Sequence, residues 1–191
     1  MPEIPILNNS GSPAAGRDPF NPNTDWYALL VRPQHERSVA QALAAKNIEA
    51  WAPTRRVRRA WSDRMRELET PLFPGYVFSR FVREQRRATL ETPGVLRIVS
   101  FNGSPAAIDE AEISAIRRAL DAGLAPRPCE AWRAGQRVRI DQGPLAGTLG
   151  VLQRESGEAR LVLEVTLLQR AVSVEIDERW ATPLAARGGA A

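Results

Sequence analysis

The sequence predicts an α+β protein: an α/β sandwich built on an antiparallel four-stranded sheet with helices, followed by a small SH3-like β-barrel. Three observations predict it. Up to about residue 123, short β-prone runs alternate with stretches of helical apolar periodicity. Beyond about residue 134 the helical signal stops, and short strands follow one another across glycine-bearing turns. The charge balance also changes between the two: Trp26 to Asp121 holds 16 basic and 11 acidic residues, whereas Arg127 to Leu184 holds eight of each. A chain of 191 residues has room for two such units.

Residues 1–24 carry five prolines and little apolar periodicity, so a disordered tail is expected there. Trp26-Tyr27-Ala28-Leu29-Leu30-Val31 reads as the first strand, halted by Pro33. Glu36 to Lys46 is alanine-rich with Val39 and Leu43 four apart, a one-sided helix that Asn47 can cap. Ile48 to Val57 reads as a second strand that Pro53 confines to an edge or breaks. Arg55 to Arg66 then holds six arginines and one acid, with Trp61-Ser62-Asp63-Arg64 as turn chemistry, so a basic hairpin or loop is expected. Leu72 to Phe81 returns to strand, Glu84 to Glu91 suits a short helix, Pro93-Gly94 a turn and Val95 to Val99 a further strand. Asp109 as N-cap with Glu112 three residues on opens a helix carrying Ile113, Ile116 and Leu120 on one face, stopped at Gly123. Residues 25–123 thus form the first domain and 124–133, with two prolines, a linker. Strands over Gln136–Ile140, Thr148–Gln153, Arg160–Thr166 and Val172–Ile176 fill the second, 134–184, before a frayed 185–191.

Composition removes several chemistries. No apolar run approaches the roughly 18 to 20 residues that cross a bilayer, and no secretory leader pattern opens the chain, so a cytoplasmic, bacterial protein without membrane contact is expected. Cys129 is the single cysteine and His35 the single histidine, which excludes an internal disulfide and a zinc site of the usual kind. Phosphate-cradling glycine motifs are missing, and Asp109 and Glu112 are accounted for by capping. No cofactor, metal or catalytic residue is expected, and the chain reads as a non-enzyme, monomeric binding protein.

Two surfaces stand out. Arg55, Arg56, Arg58, Arg59 and Arg64 with Trp61 suit a nucleic-acid backbone and a stacked base, or else are a solvated tip that keeps an edge strand from aggregating. Phe73, Tyr76 and Phe78 fall within Leu72 to Phe78; they are either core or, since alternation sends Tyr76 and Phe78 to one face, part of an aromatic face for a protein partner, with Phe73 left open by the break at Pro74 and Gly75.

The order of these motifs resembles the NusG family of transcription elongation factors. The anchors are Trp26-Tyr27, Phe73-Pro74-Gly75-Tyr76-Val77, Thr92-Pro93-Gly94-Val95 and Ile108-Asp109-Glu110-Ala111-Glu112-Ile113. The last part is similar to a KOW domain in Gly135-Gln136-Arg137-Val138-Arg139-Ile140, Gly143-Pro144-Leu145-Ala146-Gly147 and Gly150. The resemblance implies a NusG N-terminal (NGN) domain and a KOW barrel. It further implies that Trp26, Phe73 and Tyr76 form a partly exposed patch on the clamp helices of the largest RNA polymerase subunit. The hairpin, with Arg55, Arg56, Arg58, Arg59, Trp61 and Arg64, would lie near the non-template DNA strand. Clamp closure would then suppress pausing or termination by shifting a conformational equilibrium.

Arg32-Pro33-Gln34-His35-Glu36, Trp61-Ser62-Asp63-Arg64 and Leu167-Leu168-Gln169-Arg170 are more similar to specialised paralogs of the UpxY and RfaH kind. Housekeeping members carry Phe-Gly-Arg where this chain has Leu168-Gln169-Arg170. The resemblance therefore implies an operon-directed antiterminator. A housekeeping factor that couples to Rho or the ribosome through Leu167 to Arg170 is the alternative, and a KOW-type RNA-binding or ribosome-associated protein is a third reading.

Overall fold

The computed structural model describes residues 24–61, 64–130, 135–155 and 157–184, without the side chains of 59–61, 64 and 130. Strand β1 (Asp25–Val31) is central because both its faces are apolar. It pairs antiparallel with β5 (Tyr76–Phe81), β6 (Val95–Ile98) and the short β9 (Ala107–Ile108). With β2 (Glu49–Trp51) outside β5, the order is β2-β5-β1-β6. This is the expected four-stranded antiparallel sheet, with β9 added beside it.

A helix covers each face. Val39 and Leu43 of α1 (Glu36–Ala44) bury themselves with Leu29, Val31, Ile48, Val77, Phe81 and Ile98. The helix ends as expected at Asn47, whose φ of 56° turns the chain so that Ile48 N–H reaches the Leu43 carbonyl at 3.0 Å. On the opposite face, Ile113, Ile116 and Ala119 of α3 (Glu110–Asp121) pack with Trp26, Ala28 and Phe78. Its N-cap is Asp109, whose Oδ1 accepts from Ala111 N–H at 2.9 Å. Between the last strands, α2 (Arg86–Leu90) follows one short 3₁₀ turn and leads into Pro93-Gly94. Gly94 is required there: at φ 95°, a Cβ would lie 2.8 Å from Val39 Cγ2.

Pro53 breaks the predicted second strand. β2 stops at Trp51, and β3 (Thr54–Trp61) restarts beyond it to pair with β4 (Arg64–Pro71) as a separate hairpin. The expected turn residues Ser62 and Asp63 lie outside the described residues, as do residues 1–23 of the expected tail 1–24 and all of 185–191. A minimal hairpin of β7 (Ser100–Phe101) and β8 (Ser104–Pro105) precedes β9.

The C-terminal part is a six-stranded antiparallel sheet. Its strands are β10 (Arg127–Glu130), β11 (Gln136–Ile140), β12 (Leu149–Glu155), β13 (Glu158–Val165), β14 (Arg170–Glu175) and β15 (Ala181–Pro183), in the order β10-β14-β13-β12-β11-β15. Strand β10 corrects the sequence reading, which placed Arg127 to Glu130 in a linker. It pairs with β14 from Arg127 opposite Ser173 to Glu130 opposite Arg170. Pro128 argued against a strand, yet β10 ends the sheet path, where a missing N–H is tolerated. Val138, Ile140, Leu161, Leu163, Val172 and Val174 make the core of this sheet, and that core is continuous with the α3 face of the N-terminal one. The fold is therefore α+β with an all-β C-terminal region. Among the described residues no helix is long and apolar enough to cross a membrane.

Candidate functional site

The turn ahead of β5 is fixed from two sides. Gly75 stands at φ 82°, which a side chain would disfavour. Its N–H donates to Glu36 Oε1 at 2.8 Å, and its carbonyl accepts from Val31 N–H at 2.9 Å. Phe73, just before the turn, is only 1% exposed and meets Phe78 edge-on at 5.2 Å between ring centroids. Tyr76, just after it, is half-buried, with the Arg170 guanidinium 5.7 Å from its ring centroid.

Trp26 is buried to the same extent as Phe73. Its indole, 1% exposed, has Arg80 at 5.1 Å and Arg117 at 4.6 Å, and Arg117 also lies 4.9 Å from the Trp51 ring. Glu49 holds Arg117 at 3.1 Å, and Glu110 holds Arg80. The expectation that Trp26, Phe73 and Tyr76 form a partly exposed patch is thus corrected. Only Tyr76 keeps accessible surface, because β1 turns Trp26 under α3 and Phe73 belongs to the apolar cluster shared with the C-terminal sheet.

Two side chains of α3 tie the two sheets together. Glu112 Oε1 accepts from Thr166 Oγ1 at 2.6 Å, and Oε2 from Thr166 N–H at 3.2 Å. Burial pushes the Glu112 carboxyl above the ordinary glutamate range, the Thr166 hydrogen bonds pull it down, and nearby Asp109 and Glu164 push it up. Nearly two turns further along α3, Arg118 donates to the Ala146 carbonyl at 2.8 Å and to Thr148 Oγ1 at 2.7 Å. Glu112 had been absorbed by the capping pattern, and an arginine in a helix's last turns carries no tertiary signal. Neither partner was legible from local sequence.

The loop from Leu167 to Arg170 follows directly from Thr166. Leu167 and Leu168 are half-buried against the shared apolar cluster, and Arg170 covers Tyr76. Gln169 stands at φ 50°, a conformation that glycine adopts freely and glutamine at a cost. The loop expected to meet an outside partner therefore faces the turn expected to meet another.

The arginine hairpin has two unlike faces. Ladder register sets Arg56 opposite Glu69 and Arg58 opposite Glu67, and Arg58 Nε donates to Glu67 at 3.1 Å. The alternate positions pair Arg55 with Thr70, Val57 with Leu68, Arg59 with Arg66 and Trp61 with Arg64. Arg56, Arg58, Glu67 and Glu69 make a charge-balanced set, while the alternate positions have no acid in register. The sequence-level grouping of Arg55, Arg56, Arg58 and Arg59 therefore spans both.

The chain is thus built of an α+β part and an all-β part that share one apolar cluster. Residues 24–117 match the family profile described as "Transcription termination factor nusG". A Yersinia pestis protein named "Transcription termination/antitermination protein NusG" is 31% identical over 172 residues, spanning 82% of this chain and 94% of its own. The protein of that name from Escherichia coli strain K12 is 31% identical over 171 residues, with the same coverage. A solved structure described as "Domain interaction in Thermotoga maritima NusG" superposes with a TM-score of 0.48 at 22% identity, covering 85% of this chain and 98% of that one. The chain belongs to the NusG family of transcription factors.

Proposed function

We propose that this protein is a transcription elongation and antitermination factor whose N-terminal part, residues 25–123, binds the clamp helices of the largest RNA polymerase subunit. Phe73 and Tyr76 are the contact residues, and Trp26, braced by Arg80 and Arg117, supports them from beneath. The hairpin, through Arg55, Arg56, Arg58, Arg59, Trp61 and Arg64, lies beside the exposed non-template strand. Holding both sides of the cleft favours the closed clamp and disfavours paused states, with no chemical step.

One observation carries this reading: the Phe73 to Tyr76 turn is held by two hydrogen bonds of Gly75, yet Arg170 of the C-terminal part lies over Tyr76 and Phe73 shares an apolar cluster with the C-terminal sheet. An apolar surface shared across two halves suits exchange of one half for a partner of like chemistry. Polymerase therefore binds after the C-terminal part, 134–184, lifts from α3. Lifting also frees Leu167 to Arg170, which replaces the housekeeping aromatic and glycine with Leu168 and Gln169. That change favours action at particular operons over coupling to Rho or the ribosome.

Tyr76→Ala tests the reading without removing a core residue. Polymerase affinity should fall about tenfold or more while the melting temperature changes little. Unchanged affinity in a folded variant would contradict it.

A further inference from the structure

A cavity of about 580 Å³ lies beside the Phe73 to Tyr76 turn, between the start of α1 and the base of the β3–β4 hairpin. Pro33, Ala52, Pro71 and Pro74 give it apolar walls. Among the described residues its charged lining is Glu36, Glu69 and Arg37, so in a chain of net charge +4 this hollow is net negative. Glu36 is only 7% exposed, yet among the described residues no arginine or lysine pairs with it. Its Oε1 accepts the Gly75 N–H at 2.8 Å, and its place at the first position of α1 gives it the positive end of the helix dipole. Those contacts steady the charge and leave the carboxylate without a counter-ion. Arg37 reaches instead to Glu69 at 3.7 Å, and both of those side chains are exposed. A buried carboxylate that lacks a counter-ion and borders an apolar-walled cavity suits a cation that brings an apolar stem with it.

We infer that this cavity receives an arginine side chain of the protein partner, with Glu36 as the counter-ion of its guanidinium. The proline rings and Ala52 suit the stem and the flat guanidinium, which is more weakly hydrated than an ammonium and so costs less to desolvate. Glu69, half-exposed, supplies a second acceptor at the rim. Pro74 and Gly75 belong both to the cavity wall and to the turn, which makes this contact continuous with the one proposed at Tyr76. Every lining residue comes from the N-terminal part, so the cavity stays accessible while Arg170 lies over Tyr76. This rests on the reading of that turn as the polymerase contact, and adds a charged specificity pocket to it.

The test is the affinity of the full chain for core RNA polymerase across a salt series. Glu36→Gln keeps an oxygen for the Gly75 N–H and removes the charge; binding should weaken about tenfold, with a shallower salt dependence and a melting temperature close to that of wild type. Gln34→Arg, at an exposed position of the lining, brings in a competing guanidinium and should weaken binding about fivefold. It decides the matter if Glu36→Gln does not fold. Wild-type affinity in every folded variant of this pair, alongside a loss in Tyr76→Ala, would overturn the pocket and leave the turn reading intact; no loss in any of the three would remove both. Benzoylphenylalanine in place of Arg37 should crosslink to an arginine-bearing segment of the polymerase, whereas crosslinks confined to DNA in an elongation complex would overturn the assignment to a protein side chain.

Discussion

The two faces of the N-terminal sheet are both dry, but they are closed in different ways. The α1 face is finished by residues of its own half: Leu29, Val31, Val39, Leu43, Ile48, Val77, Phe81 and Ile98 form one cluster with nothing borrowed from beyond residue 98. The α3 face runs on into the C-terminal sheet, so that Trp26, Phe73, Phe78 and Ile113 share a cluster with Val138, Leu161 and Val172. The polar contacts across the boundary are few and one-sided, with Glu112 and Arg118 of α3 holding Thr166, Ala146 and Thr148. Apolar surface closed by its own half can serve only stability. Surface closed by the other half, through shared apolar packing and a handful of hydrogen bonds, can serve stability while covered and recognition when bare.

The largest expected effect distinguishes these two kinds of closure. Leu43→Ala should cost about 3 kcal/mol in urea unfolding, because a fully buried leucine loses both its transfer energy and its packing. That cost should be the same in a chain also carrying Glu112→Ala and Arg118→Ala. Phe73→Ala should cost about as much in the otherwise intact chain, yet about 1 kcal/mol less in the doubly altered background, since part of its burial depends on the cover. Equal costs for Phe73 in both backgrounds would show that it belongs to the self-contained kind.

A smaller effect follows from Glu112. Its carboxyl is held above its ordinary range in the covered arrangement and returns to that range when the cover lifts. The covered state therefore binds the proton more tightly. Its contacts are penalised at neutral pH, and the penalty is relieved as pH falls through the raised value to below the ordinary one. The two halves should hold together more firmly near pH 4.5 than at pH 7.5, read from energy transfer between labels on α1 and β12. The Glu112→Gln variant should lose that difference, and a wild-type chain that opens on acidification would reverse the assigned sign.

Much of the fold was legible because its signals are local. The Val39 and Leu43 spacing, the Asp109 cap, the Pro53 break and the Pro93-Gly94 turn each act within a few residues, and each appears where periodicity and turn chemistry placed it. What local signals could not give was partnership. Glu112 satisfied a capping pattern on paper and serves Thr166, 54 residues away. Arg127 looked like linker and became an edge strand because β14 was free to accept it. The hairpin arginines were legible as a group, but only the ladder register sorts Arg56 and Arg58 from Arg55 and Arg59. Trp26 and Phe73 had been assigned to the surface through resemblance, whereas the packing of α3 and the C-terminal sheet decides their burial.

Under the proposed function, the C-terminal part and the polymerase compete for the surface at Phe73 and Tyr76. The most direct measurement is the affinity of the full chain for core RNA polymerase, wild type against the Glu112→Ala, Arg118→Ala double variant, at matched pH and salt. Loss of the polar contacts should leave each half folded, with unchanged secondary structure, and should tighten polymerase binding about fivefold to tenfold as the uncovered state becomes more populated. Equal or weaker binding by a double variant in which the two halves are demonstrably apart would contradict the claim.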